Sequence, residues 1–144
     1  MTRPTSMKSK KANQRGTTLI ETLVALLVLS IGLLGVAALQ VNALQNNQMA
    51  HVRSQASVLA YDLADRMRAN RAVALAGGYN VAFGTTPTGS NLNELDVQNW
   101  KAALANTLPT GDGQLTLLGN VAIIQVRWAT RTGGTELFET RTQI

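Results

Sequence analysis

The 144-residue chain contains no cysteine, which excludes disulfide frameworks, zinc–thiolate sites and thiol nucleophiles. Aromatic residues make up 4% of it, too few for the stacking platforms that hold single-stranded nucleic acid. Charged residues make up 15%, against roughly 25% in ordinary soluble domains. No proline occurs between Pro4 and Pro87, so nothing in that interval forbids one long helix. Catalytic patterns are missing as well. The one histidine, His51, follows a polar patch (Gln45, Asn46, Asn47, Gln48) and has no carboxylate within a helical turn. There is no G-x-S-x-G, Walker loop, dinucleotide fingerprint or H-E-x-x-H pair. Thr110-Gly111-Asp112-Gly113 reads as a turn, because the further carboxylates of a calcium loop are absent nearby. The expectation is a protein that is no enzyme and holds no cofactor or metal.

What charge there is lies unevenly. The formal net charge is +5, which by itself points to an acidic partner. Residues 1–16, however, carry five of the thirteen basic side chains (Arg3, Lys8, Lys10, Lys11, Arg15) and no acid. The remaining eight basic and eight acidic side chains cancel. Nucleic acid is therefore not an expected partner.

From Thr22 to Val52 there is no Asp, Glu, Lys or Arg, and Leu23–Leu39 is apolar apart from Ser30, Gly32 and Gly35. That run is at the lower edge of a bilayer-spanning length and exceeds a secretory h-region. A buried globular helix would rarely follow a purely basic tail. The tail predicts a cytoplasmic N-terminus with the rest translocated. Glu21, two positions before the run, is either a functional carboxylate or one that snorkels to the headgroup layer. Gly32 and Gly35 admit close helix approach or local unwinding, or are simply tolerated.

The block Arg15-Gly16-Thr17-Thr18-Leu19-Ile20-Glu21, followed by the apolar run, resembles the class III leader of type IV pilins and pseudopilins. The resemblance implies that a prepilin peptidase cuts after Gly16 and that Thr17 becomes the methylated N-terminus. Thr17 stands where major pilins carry phenylalanine. Glu21 would then be the fifth residue of the mature chain, paired with a neighbouring subunit's N-terminal amine during assembly. The new amine and Glu21 are four residues apart, about one helical turn. Burying either charge alone would be expensive, and pairing offsets much of that penalty.

Helix-favouring sequence continues beyond the run. Val52, Ala56, Leu59, Ala60, Leu63 and Met67 recur at helical spacing and mark one buried face. One long helix is expected over residues 17–76, hydrophobic from about 22 to 39. The stretch Ala60-Tyr61-Asp62-Leu63-Ala64-Asp65-Arg66-Met67-Arg68-Ala69-Asn70-Arg71 is similar to that of the type IV pilus modification protein, the PilV kind of minor pilin. Arg66, Arg68 and Arg71 are either a solvated face with local ion pairs to Asp62 and Asp65 or a docking surface for another minor pilin.

Residues 77–93 hold five glycines or prolines and read as a loop. A short helix is expected at about 96–108, capped by Asp96, with Val97, Trp100, Leu104 and Leu108 on one face and Pro109 ending it. Strands at 114–118, 121–130 and 136–142, joined by short glycine-containing connections, predict a three-strand antiparallel meander over about 114–142. The expected fold class is α+β. A long N-terminal helix, membrane-spanning in its first half, packs against a small sheet in a C-terminal head over residues 77–144.

The resemblance implies a minor pilin of a type IV pilus, held in the bacterial inner membrane by a single pass before entering the extracellular pilus. Its implied partners are the membrane, the prepilin peptidase, the inner-membrane assembly platform, the major pilin, other minor pilins and a tip adhesin. Pilus assembly, cell adhesion and twitching motility are the implied processes. A minor pseudopilin of a type II secretion system shares the leader and architecture. An exported periplasmic binding domain is the third reading, with Val36-Ala37-Ala38 as an ordinary signal-peptidase site.

Overall fold

The computed structural model describes residues 19–144. The chain divides into two compact units, residues 1–44 and 45–144. The described part of the first unit is wholly helical and almost entirely exposed. It belongs to helix α1, Leu19–Ala69, which stays helical through Gly32 and Gly35. Apart from the chain neighbours and the helix's own backbone, no atom of the described residues lies within 4 Å of a Cβ built at either glycine. A window of α1 with mean hydropathy 2.6 is none of it buried, so nothing among the described residues covers its apolar side chains.

The second unit is the head. Its elements are the rest of α1, α2 (Arg71–Leu75), α3 (Leu92–Thr107), β1 (Asp112–Leu118), β2 (Val121–Ala129) and β3 (Thr135–Gln143). The strands form an antiparallel sheet in the order β1-β2-β3. Leu118 pairs with Val121 across Gly119-Asn120. Gly119 has φ +63°, the left-handed value that a two-residue hairpin wants at its first central position.

Strict alternation along β2 buries Ala122, Ile124, Val126 and Trp128 on one face. That face joins Ala56, Ala60, Leu63, Ala64 and Met67 of α1 and Val97, Trp100 and Leu104 of α3 in one core. The alanines on α1 remove side-chain bulk along its buried face and bring its backbone near the core. The Trp100 indole N–H then donates to the carbonyl of Leu59 at 3.0 Å. Gly113 makes the room for that ring, since a Cβ there would collide with Trp100 and Leu104. The α+β class and the helix-on-sheet packing therefore stand as expected.

Three expected boundaries differ. The helix expected over 17–76 is interrupted at Asn70, whose φ of −115° and ψ of 49° leave the helical region. Its side-chain amide donates to the Tyr79 hydroxyl at 3.3 Å, and α2 resumes at Arg71. The second helix begins at Leu92 rather than at about 96. Asn91 is its N-cap, and Glu94 Oε2 accepts the Asn91 N–H at 3.0 Å, one half of a capping box. Asp96 is thus an interior helical residue and not the cap. Finally, Asp112 is already in β1, and the backbone reverses at Pro109-Thr110, where Thr110 has φ +50°. The 77–93 segment is not all free loop, for Val81 exchanges two backbone hydrogen bonds with Leu115 at 3.0 and 2.9 Å. That bridge covers part of the outer edge of β1.

Candidate functional site: the N-terminal helix and the head

Gly16 and Thr17, the expected cleavage and methylation positions, lie outside the described residues. Glu21 is in the first turn of α1, exposed, and forms no ion pair among the described residues. An acid in a first helical turn is favoured by the helix dipole. Beyond it, no Asp, Glu, Lys or Arg occurs until Arg53. This end of the chain therefore presents one carboxylate at the head of a long, unpartnered apolar surface.

The arginine cluster falls apart into different roles. Arg66 donates Nε to Asp62 at 3.0 Å and Nη1 to Asp96 at 3.1 Å. The Tyr79 hydroxyl donates to the other Asp96 oxygen at 2.9 Å. Asp96 thus ties α1, the 77–81 segment and α3 together. Its hydrogen bond, followed by that of Asp62, raises the Arg66 pKa further above its ordinary value. Burial raises the Tyr79 pKa, and the Asp96 bond adds to this against the opposing Asn70 bond. The phenol stays protonated, as a donor to Asp96 must. Arg68 bonds Asp65 at 2.6 Å and the Thr142 hydroxyl of β3. Arg71 is exposed and makes no ion pair among the described residues.

A second polar centre escaped the sequence reading. Lys101, 7% exposed, donates to Asp112 Oδ1 and to the Ala82 carbonyl, each at 2.9 Å. Arg127 reaches the other Asp112 oxygen at 3.1 Å, with its guanidinium 4.4 Å above the Phe83 ring. The backbone N–H groups of Gly84 and Gly113 also donate to Asp112, at 2.7 and 2.8 Å. One carboxylate therefore ties α3, the 82–84 segment, β1 and β2.

Burial pushes the Asp112 carboxyl up, but the Lys101 bond, the two N–H donors and the Lys101 charge outweigh it and hold the pKa below the ordinary value. A depressed folded pKa adds stability that is present above the unfolded value of about 3.9 and is lost as pH falls through the folded value. The melting temperature of the head, followed by circular dichroism on the full chain in detergent, is expected to fall below about pH 4. Asp112→Asn is expected to flatten part of that acid limb. An unchanged limb would place the acid sensitivity elsewhere.

Neither centre offers a reacting group, and among the described residues no His, Asp or Glu cluster could hold a metal ion. Comparisons with protein families bear on the same two regions. Residues 11–37 match the prokaryotic N-terminal methylation motif. Residues 38–94 match the Tt1218-like family, described as type IV pilin Tt1218. These matches support a pilin-type protein. No curated protein and no solved structure matches the chain. The pilin motif and the family segment adjoin at residues 37 and 38. Together they run from residue 11 to residue 94, which takes in α1, α2 and the start of α3. The methylation motif and the apolar part of α1 suggest a membrane-anchored chain of pilin type.

Proposed function

We propose that the chain is a minor pilin of the PilV kind, which joins other minor pilins to prime assembly and sits near the pilus tip, where it supports display of an adhesin. Cleavage after Gly16 and methylation at Thr17 would release it from the leader. The peptidase acts from the cytoplasmic face, so the chain crosses the inner membrane once with its N-terminus inside. The observation that carries the reading is the lone exposed Glu21 ahead of a helix without charge from Thr22 to Val52. Such a surface needs first lipid and then neighbouring pilin helices to cover it.

The head supports a structural role, since its two polar centres are closed on themselves by Asp96 and Asp112. Arg66 and Arg68 are spent on holding the head to α1. Arg71 is the member of the cluster left to meet another minor pilin. Deleting the protein from its host is expected to remove most surface pili, counted by electron microscopy, and expression of the full chain restores them. Sheared pili are expected to contain it far below the amount of the major pilin. Normal piliation with defective protein secretion would point instead to a minor pseudopilin.

A further inference from the structure

A membrane explains less of α1 than its charge-free stretch covers. Thr22–Val52 is 31 residues without Asp, Glu, Lys or Arg, a rise of about 46 Å at ~1.5 Å per residue. The hydrocarbon layer is about 30 Å thick and takes roughly 20 helical residues, which from Thr22 ends near Val41. The headgroup layers accept Lys and Arg, which anchor helix ends there. A bilayer therefore gives no reason for the absence of charge from residues 42–52.

That part of α1 is not apolar either. Residues 40–52 hold six amides, Gln40, Asn42, Gln45, Asn46, Asn47 and Gln48, and no charge. Gln45 is half-buried and the other five are exposed. Among the described residues no hydrogen bond reaches any of the six side chains. Immediately beyond, residues 53–71 carry Arg53, Asp62, Asp65, Arg66, Arg68 and Arg71. A surface that stays in water tolerates both kinds of side chain. A surface that leaves water tolerates an amide that finds a partner, whereas an unpaired charge is far more costly. Polarity without charge is what a covered, hydrogen-bonded zone requires.

Helical spacing sorts the amides by face. Asn42 and Asn46 are four residues apart and share one face, and Gln40 and Asn47, seven apart, share another. Asn46 and Asn47 are adjacent in sequence and so face different directions. Each pair forms a row along the helix axis, which suits a second helix lying alongside.

We infer that residues 40–52 are a second contact zone of α1, in which the two rows hydrogen-bond to amide or hydroxyl side chains on the helices of two neighbouring pilins in the filament. The zone continues the cover that the apolar run before it needs, and Asn and Gln are among the residues that bond across packed helices. Apolar packing alone lets one helix slide along another. A covered amide that must find its partner fixes the register instead. The zone ends at Val52, and Arg53 returns the helix to charge.

The inference rests on the pilin reading above. The chain has no cysteine, so Asn46→Cys and Asn47→Cys give one thiol on each face. Each full-length variant is treated with a hydrophilic maleimide, once in isolated membranes and once in sheared pili. Expected is ready labelling in membranes and labelling at least five-fold slower in pili. In a second readout, Asn46→Asp should lower the ratio of pilus-borne to membrane-borne protein at least five-fold. Asn46→Ser keeps a hydrogen-bonding group and should lower it less than two-fold. Asn and Asp have similar helix propensity, so the Asp variant tests charge rather than folding. Equal labelling in the two states, full protection already in membranes, or normal assembly of Asn46→Asp would each overturn the inference. Absence of the unaltered chain from sheared pili would overturn the pilin reading and the inference with it. Presence in pili with both thiols open to the reagent would overturn the contact zone alone.

Discussion

Glu21→Ala is expected to leave the protein in the membrane fraction at its normal level while nearly eliminating it from sheared pili. Insertion depends on the apolar surface of α1, which the substitution does not touch. Entry into a filament is different, because there the N-terminus of one subunit is taken out of water among the apolar helices of others. Cleavage at Gly16 would leave an α-amine that is largely cationic near neutrality. Without the carboxylate of a neighbour, that amine would be buried unpaired. Removing one partner of a buried ion pair costs about 3–5 kcal/mol, which corresponds to a loss of more than about a hundred-fold in an equilibrium. Glu21→Gln should show a similar loss, since the missing quantity is charge rather than shape. The ratio of the variant in sheared pili to that in membranes, read by immunoblot, is the measurement. A ratio equal to that of the unaltered protein would mean that Glu21 only snorkels to the headgroups.

Trp100→Ala is expected to be the most damaging single change in the head. The ring is 1% exposed, lies against Gly113 of β1, and donates its N–H to the Leu59 carbonyl of α1. It thus joins the three parts of the core. Truncating a buried tryptophan costs ~3–5 kcal/mol through lost burial and the cavity left behind, a large share of the stability of a small domain. The Leu59 carbonyl also loses its indole donor. Thermal unfolding of the full chain in detergent, followed by circular dichroism, should show a lowered head transition while the apolar helix signal persists. Gly113→Ala should fail for the complementary reason, since the added methyl group needs the space that the ring fills. A head as stable as the unaltered one in both variants would show that α1, α3 and the sheet are held together by other contacts.

Much of this architecture was legible because periodicity reports burial. The recurrence of Ala56, Ala60, Leu63 and Met67 marked the face of α1 that the core uses. The alternation of Ile124, Val126 and Trp128 marked the inner face of β2. What escaped was set by partners distant in sequence. Asp96 resembled a helix cap because Arg66, 30 residues away, and Tyr79, 17 residues away, are invisible as its partners until the chain folds. The true start of α3 was recoverable, since Asn91 and Glu94 have the spacing of a capping box.

Asp112 between two glycines looked like an ordinary turn. Its real environment comes from Lys101, Arg127 and the backbone of Gly84, which three different segments supply. The break at Asn70 was equally hidden, because its side-chain partner is the Tyr79 hydroxyl. Arg66 and Arg68 read as one basic surface with Arg71, yet Arg68 reaches Thr142 from 74 residues away. Glu21 was legible from sequence for the opposite reason. A carboxylate next to a long apolar run stands out because it has no local use.

The most direct measurement is the mature N-terminus of the protein, taken from host membranes and read by mass spectrometry of the intact chain and its first peptide. Expected is a chain that begins at Thr17, carries a methyl group on its α-amine, and has lost all five basic side chains of residues 1–16. A chain that begins at Leu39, after Val36-Ala37-Ala38, would contradict the pilin reading. That product would have lost both Glu21 and most of the apolar helix, and with them any means of entering a pilus.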